Sequence, residues 1–131
     1  MSGKPHQSWV RKAESDLLAA DNNLASERIP FDAVCFHCQQ GAEKYLKGLL
    51  AYFKGEVLRI HDLLALLESI KQLVTTGVPD AIRDACIILN PYAIEVRYPD
   101  DDWSPTADDA QEARTAVESI RTWVESLVHL E

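Results

Sequence analysis

The residues best suited to chemistry lie in one short stretch, Tyr92 to Trp103, which reads YAIEVRYPDDDW. Arg97 is a cation that can grip a phosphate or a carboxylate through paired N–H bonds. Tyr98 offers a ring on which a base can stack. Pro99 fixes its own backbone and biases Tyr98 away from the helical region, so the chain turns here. Asp100, Asp101 and Asp102 follow. Such a run can take a hard cation, since carboxylates suit hard metals, or can simply form a solvated entrance to the next helix. The plain alternative for Arg97 is pairing with Glu95 or Asp100, and for Tyr98 packing under the loop. Three further residues could contribute to an anionic ligand site: His61 at the start of a helix, and Lys44 and Lys47 on one polar helix face.

A second stretch, Cys35 to Cys38 (CFHC), invites a metal reading. A closed zinc site wants four ligands, and this stretch offers at most Cys35, His37 and Cys38. On a helix His37 points away from both cysteines. The residue after the second cysteine is Gln39, not the histidine of a haem-attachment motif. The thiols are therefore expected in the core as small hydrophobes, and no metal or other cofactor is expected.

These side chains must be positioned by helices. About residues 8 to 26, the stripe Val10, Ala13, Leu17, Ala20, Leu24 has helical spacing, and Pro30 ends the run. From about residue 31 to 54, Cys35, Cys38, Ala42, Tyr45, Leu46, Leu49, Tyr52 and Phe53 fall in one apolar arc. His37, Gln40, Lys44 and Lys47 fall opposite, and Glu43 to Lys47 is a favourable i,i+4 pair. Gly41 and Gly48 share a third line. Each costs about 1 kcal/mol inside a helix, so the line implies close approach, by a neighbouring helix or across a dimer. His61 and Asp62 open a third helix, and Pro79 a short fourth that NPY (Asn90 to Tyr92) weakens or ends. Ser104 or Thr106 caps the last helix, whose stripe is Ala110, Ala113, Val117, Ile120, Val124, Leu127. No segment alternates with period two. The expected fold is all-α, an antiparallel up-and-down bundle of four long helices plus a short one, in one domain with its core over about residues 8 to 128.

Composition narrows the function classes. The chain has 131 residues, 13 Lys and Arg against 21 Asp and Glu, and a net charge of −8. Duplex binding draws on many cations, so this balance argues against it, although a local basic set could hold a nucleotide. No apolar run approaches the roughly 20 residues of a membrane span. The N-terminus has no apolar signal region, and three cysteines are an odd number; a cytoplasmic setting is expected.

The run CFHCQQGAEKYLKGLL, then HDLLALLESI, then RYPDD resembles the HEPN domains (higher eukaryotes and prokaryotes nucleotide-binding), over about residues 8 to 128. The resemblance implies a helical bundle, usually dimeric. Many small prokaryotic members are similar to the partner of a minimal nucleotidyltransferase, in pairs treated as toxin and antitoxin. Others resemble metal-independent ribonucleases, which carry an Arg followed, after four to six intervening residues, by a His. Here the window after Arg97 holds Asp102, Trp103 and Ser104. None of the other six arginines has a His in that window, and Arg121 with His129 is the nearest miss. The expectation is a homodimeric module without catalysis of its own, acting with a nucleotidyltransferase. Arg97, Tyr98, His61, Lys44, Lys47 and Asp100 are its candidate nucleotide or partner contacts. A ribonuclease and a purely structural dimer stand as the alternatives.

Overall fold

Helix α2 (Phe31–Tyr52) is the spine of the structure, a computed structural model that describes residues 4–93 and 104–128. Around it stand α1 (Pro5–Leu24), α3 (Leu63–Lys71), α4 (Asp80–Leu89) and α5 (Ala107–Leu127), with a 3-10 turn at Asn90–Tyr92. The described residues contain no strand. The all-α bundle expected from the 3-4 spacing is what forms. Its length is shared out differently, however: α1, α2 and α5 are long, while α3 has 9 residues and α4 has 10.

Local chemistry sets the helix ends. Pro5 occupies the first turn of α1, where its missing N–H costs nothing, so the helix starts earlier than the apolar stripe. Asp62 caps α3, accepting from the amides of Leu64 and Ala65 at 3.0 and 3.3 Å. Thr106 and Asp109 cap α5 reciprocally: the Asp109 amide donates to Thr106 Oγ1 at 3.2 Å, and the Thr106 amide to Asp109 Oδ2 at 2.9 Å. This exchange satisfies two otherwise orphaned N–H groups.

The direction of α3 depends on the link before it. The Gly55 amide donates to the Leu50 carbonyl at 2.8 Å, and the chain then runs back along α2. It arrives with the His61 carbonyl accepting from Gln39 Nε2 at 3.1 Å. Helix α3 therefore starts beside the middle of α2 and runs the same way, and Leu73, just past its end, packs against Gly55. Helix α4 returns antiparallel. Its last residues bring Asn90 to the α3 cap, where Nδ2 donates to Asp62 Oδ1 at 3.0 Å and Oδ1 accepts from the Leu63 amide at 2.9 Å. The Asn90 amide group, ahead of the Leu64 and Ala65 amides, holds the Asp62 carboxyl below its ordinary range.

The glycine line of α2 faces α1. A Cβ on Gly41 would lie 3.6 Å from the Ala13 carbonyl and from Asp16 Cβ; one on Gly48 would lie 3.2 Å from Trp9 Cβ. Close approach within the chain thus accounts for both glycines. From Gly41 to Leu50 every residue of α2 is buried except Lys44, which is half-buried.

These distances separate the two glycines energetically. Gly41→Ala meets only ordinary van der Waals contacts and recovers helix propensity, so it should raise stability by up to about 1 kcal/mol. Gly48→Ala gains the same propensity but must displace Trp9, so it should be the less stable of the two. Urea unfolding of both variants checks the order, and a Gly48→Ala protein more stable than Gly41→Ala would contradict the packing described.

Candidate functional site

Three elements meet where α2 passes under α1 and the start of α3, and they bring two sets of a carboxylate, a lysine and a histidine together. In the first set, Glu43 on α2 is buried, with its side chain 6% exposed. One oxygen accepts from Lys47 Nζ at 3.0 Å and the other lies 2.9 Å from His61 Nδ1. Lys47 is one turn further along α2 and 8% exposed, whereas the His61 side chain is 70% exposed. In the second set, Asp16 on α1 bonds His37 Nδ1 at 3.0 Å and Lys44 Nζ at 2.5 Å. Again the carboxylate is the innermost member.

Burial explains why the residues come in sets. A lone charge in the interior is costly, and a lysine or carboxylate stays there only when paired and hydrogen-bonded. Glu43 and Lys47 meet that condition through the i,i+4 geometry of α2 itself. The chain covers them from two sides. From α1, the Trp9 ring lies 5.7 Å from Lys47 Nζ and 5.9 Å from Lys12 Nζ, within reach of two cations. From the α3 entrance, Gln39 holds the His61 backbone, and Gln40 Nε2 donates to Gln39 Oε1 at 2.6 Å.

The arrangement defines what His61 can do. With Nδ1 held on a carboxylate, the neutral ring keeps its proton there and presents Nε2 outward. Nε2 can then accept a proton or hydrogen bond, or as imidazolium donate to an anion. The carboxylate and the buried lysine fix the ring rather than meet a ligand themselves.

The sequence-derived candidates divide accordingly. His61 and Lys47 are brought together through Glu43, while Lys44 belongs to the Asp16 set. Lys47 departs from the expected polar face: α1 and the His61 segment cover it, because helical periodicity places a side chain in an arc without telling what packs over the arc. Arg97, Tyr98 and Asp100, with the expectation that Arg97, Tyr98 and His61 form one surface, lie outside the described residues. Asp16 was missed. Its only sequence signal is an acid beside the apolar stripe position Leu17. Cys35 and Cys38 are buried in the core, and burial pushes the Cys38 thiol up to about 12; His37 turns instead to Asp16. Among the described residues no three His, Cys, Asp or Glu side chains are grouped to hold a metal ion, and no helix is long and apolar enough to cross a membrane.

Residues 6–127 match the family of the HEPN domain. The fold is similar to the crystal structure of TT1696 from Thermus thermophilus, with a TM-score of 0.81 and 31% identity over 96% of this chain and 100% of that one. It is also similar to ST0689, an archaeal HEPN homologue, with a TM-score of 0.70 and 28% identity over 95% and 98% of the two chains. No curated protein matches.

The buried pair predicts a non-additive pair of mutations. Glu43→Ala strands the Lys47 ammonium under Trp9 and should cost about 3–5 kcal/mol, whereas Glu43→Leu with Lys47→Met should fall much closer to wild type. Urea unfolding of the three proteins checks this. A double variant as unstable as Glu43→Ala would mean that the two charges are not coupled.

Proposed function

The chain belongs to the HEPN domain family, and from that premise we propose that it is a binding module without catalysis of its own. In this reading it forms a homodimer and works with a minimal nucleotidyltransferase in the cytoplasm, as one half of a toxin–antitoxin pair. Nucleotide or partner contacts fall around His61, with Arg97, Tyr98 and Asp100 as further contacts. The observation that carries the reading is the use of Glu43 and Lys47. The charged pair of the EKYLK run is spent inside the fold, holding one exposed imidazole in a fixed orientation, which suits a recognition surface built on a rigid base. The sequence adds weight, since no arginine is followed at the required distance by a histidine that could move a proton at a scissile phosphate.

Co-expression with a minimal nucleotidyltransferase encoded beside it tests the reading. The two proteins should co-purify, and light scattering of this chain alone should give about twice its 14.7 kDa mass. His61→Gln should weaken binding of ATP, GTP or the partner in calorimetry. Equal binding by the variant would move the contact surface away from the α2–α3 junction. The purified protein should also leave RNA intact. Metal-free cleavage that disappears in Arg97→Ala would replace the module reading with a ribonuclease.

A further inference from the structure

One line along the outer side of α5 carries no charge. Gln111, Thr115, Ser119, Thr122 and Ser126 are spaced 4-4-3-4, and all are exposed. In a chain of which 26% is charged, a solvated helix face ordinarily carries Lys and Glu along such a line. Ala81 and Ile82 of α4 stand beside the line, and with it they border an open hollow of about 800 Å³ that Trp123 helps to line. A second hollow of about 510 Å³ adjoins it, sharing Ala81, Gln111, Thr115 and Ser119, and reaches Ala85 and Ile88. Together they form one shallow trough over the α4–α5 seam. Four exposed-line intervals on α5 span 15 residues, roughly 22 Å of helix.

Charge lies along one flank of the trough, where Arg114 and Glu118 line the larger hollow, and at one end. On that flank Arg114 is already matched, with Nη1 2.9 Å from Glu118 and Nε 2.7 Å from Asp21. At the end nearest the start of α5 stand Asp84, Asp108 and Glu112, none of them in an ion pair among the described residues. The surface therefore has an uncharged floor of small side chains, which lets a second helix approach closely, and an end whose three carboxylates have no ion-pair partner among the described residues.

We propose that this trough docks an amphipathic helix of a partner protein, its uncharged face on Thr115, Ser119 and Thr122 and its Lys or Arg residues over Asp84, Asp108 and Glu112. Charge complementarity selects that occupant, because opposite potentials fix register and partner choice. A second copy of this chain brings a net charge of −8 and the same acidic end. The inference goes beyond the module reading: it locates a partner surface that shares no residue with the His61 set, and it holds whether or not the partner is a nucleotidyltransferase.

The test uses isotope-labelled full-length chain and two designed amphipathic helices of about five turns, one with a lysine polar face and one with glutamate. The lysine helix should shift the amide signals of Ala81, Thr115, Ser119 and Thr122, and the glutamate helix should leave them in place. Ser119→Trp, which fills the trough from an exposed position, and Glu112→Lys, which reverses its acidic end, should each weaken the lysine helix by about tenfold or more. Unchanged signals from the far side of the bundle show that both variants fold. Three results would overturn the proposal. These are shifts scattered over the acidic surface and indifferent to both variants, no shift at the trough, or trough signals that move on dilution of the chain alone. The last would assign the surface to a second copy. Failure of the nucleotidyltransferase to co-purify would leave all these outcomes unchanged, so the two readings fail separately.

Discussion

Glu43 is the residue on which the middle of the molecule depends. Its carboxylate is buried beside α1 and α3, and a buried carboxylate needs partners on both oxygens. One partner comes from its own helix, Lys47, and the other from the chain after it has turned back along α2, His61. The second bond fixes where that link ends. The link's end in turn fixes where α3 starts, which is why Asp62 is in place to cap it and Asn90 to brace the cap. A sequence of local satisfactions thus connects one charge on the central helix to the placement of α3 and α4.

Much of this fold could be read from the sequence. The 3-4 stripes of α1, α2 and α5 mark three helices and their inward faces, because burial along a helix repeats every 3.6 residues. The cap signals at Asp62 and Thr106 are equally local. The direction of α3 is not, since it depends on bonds such as that from Gln39 to the His61 carbonyl, made between residues 22 apart. The same limit applies to the site. His61 and Lys47 were identifiable by type, and the Glu43–Lys47 pair by spacing. The role of Asp16 was not, because an acid next to an apolar stripe reads as a solvated edge until another helix brings Lys44 and His37 to it.

A helix as enclosed as α2 limits where recognition can occur. Its polar side chains serve mainly to hold other elements, so contacts with other molecules fall to what those elements expose. One such place is the His61 ring at the α2–α3 junction. Another is the outer line of α5, where α4 supplies one wall and the spine below stays covered. The two surfaces share no residue, and each can change in sequence without disturbing the other, as far as the bundle beneath is kept.

The three thiols have a separate consequence. Cys35, Cys38 and Cys86 are each 0% exposed, and burial pushes Cys38 and Cys86 up to about 12. Since the thiolate is the reactive form, the fold withholds all three sulfurs by access, and Cys38 and Cys86 by protonation as well. Reaction with an alkylating reagent then requires the bundle to open. Cys35 and Cys38 lie on the central helix and Cys86 on the short α4, so their relative rates of labelling record whether α4 lifts away alone or the whole bundle opens at once.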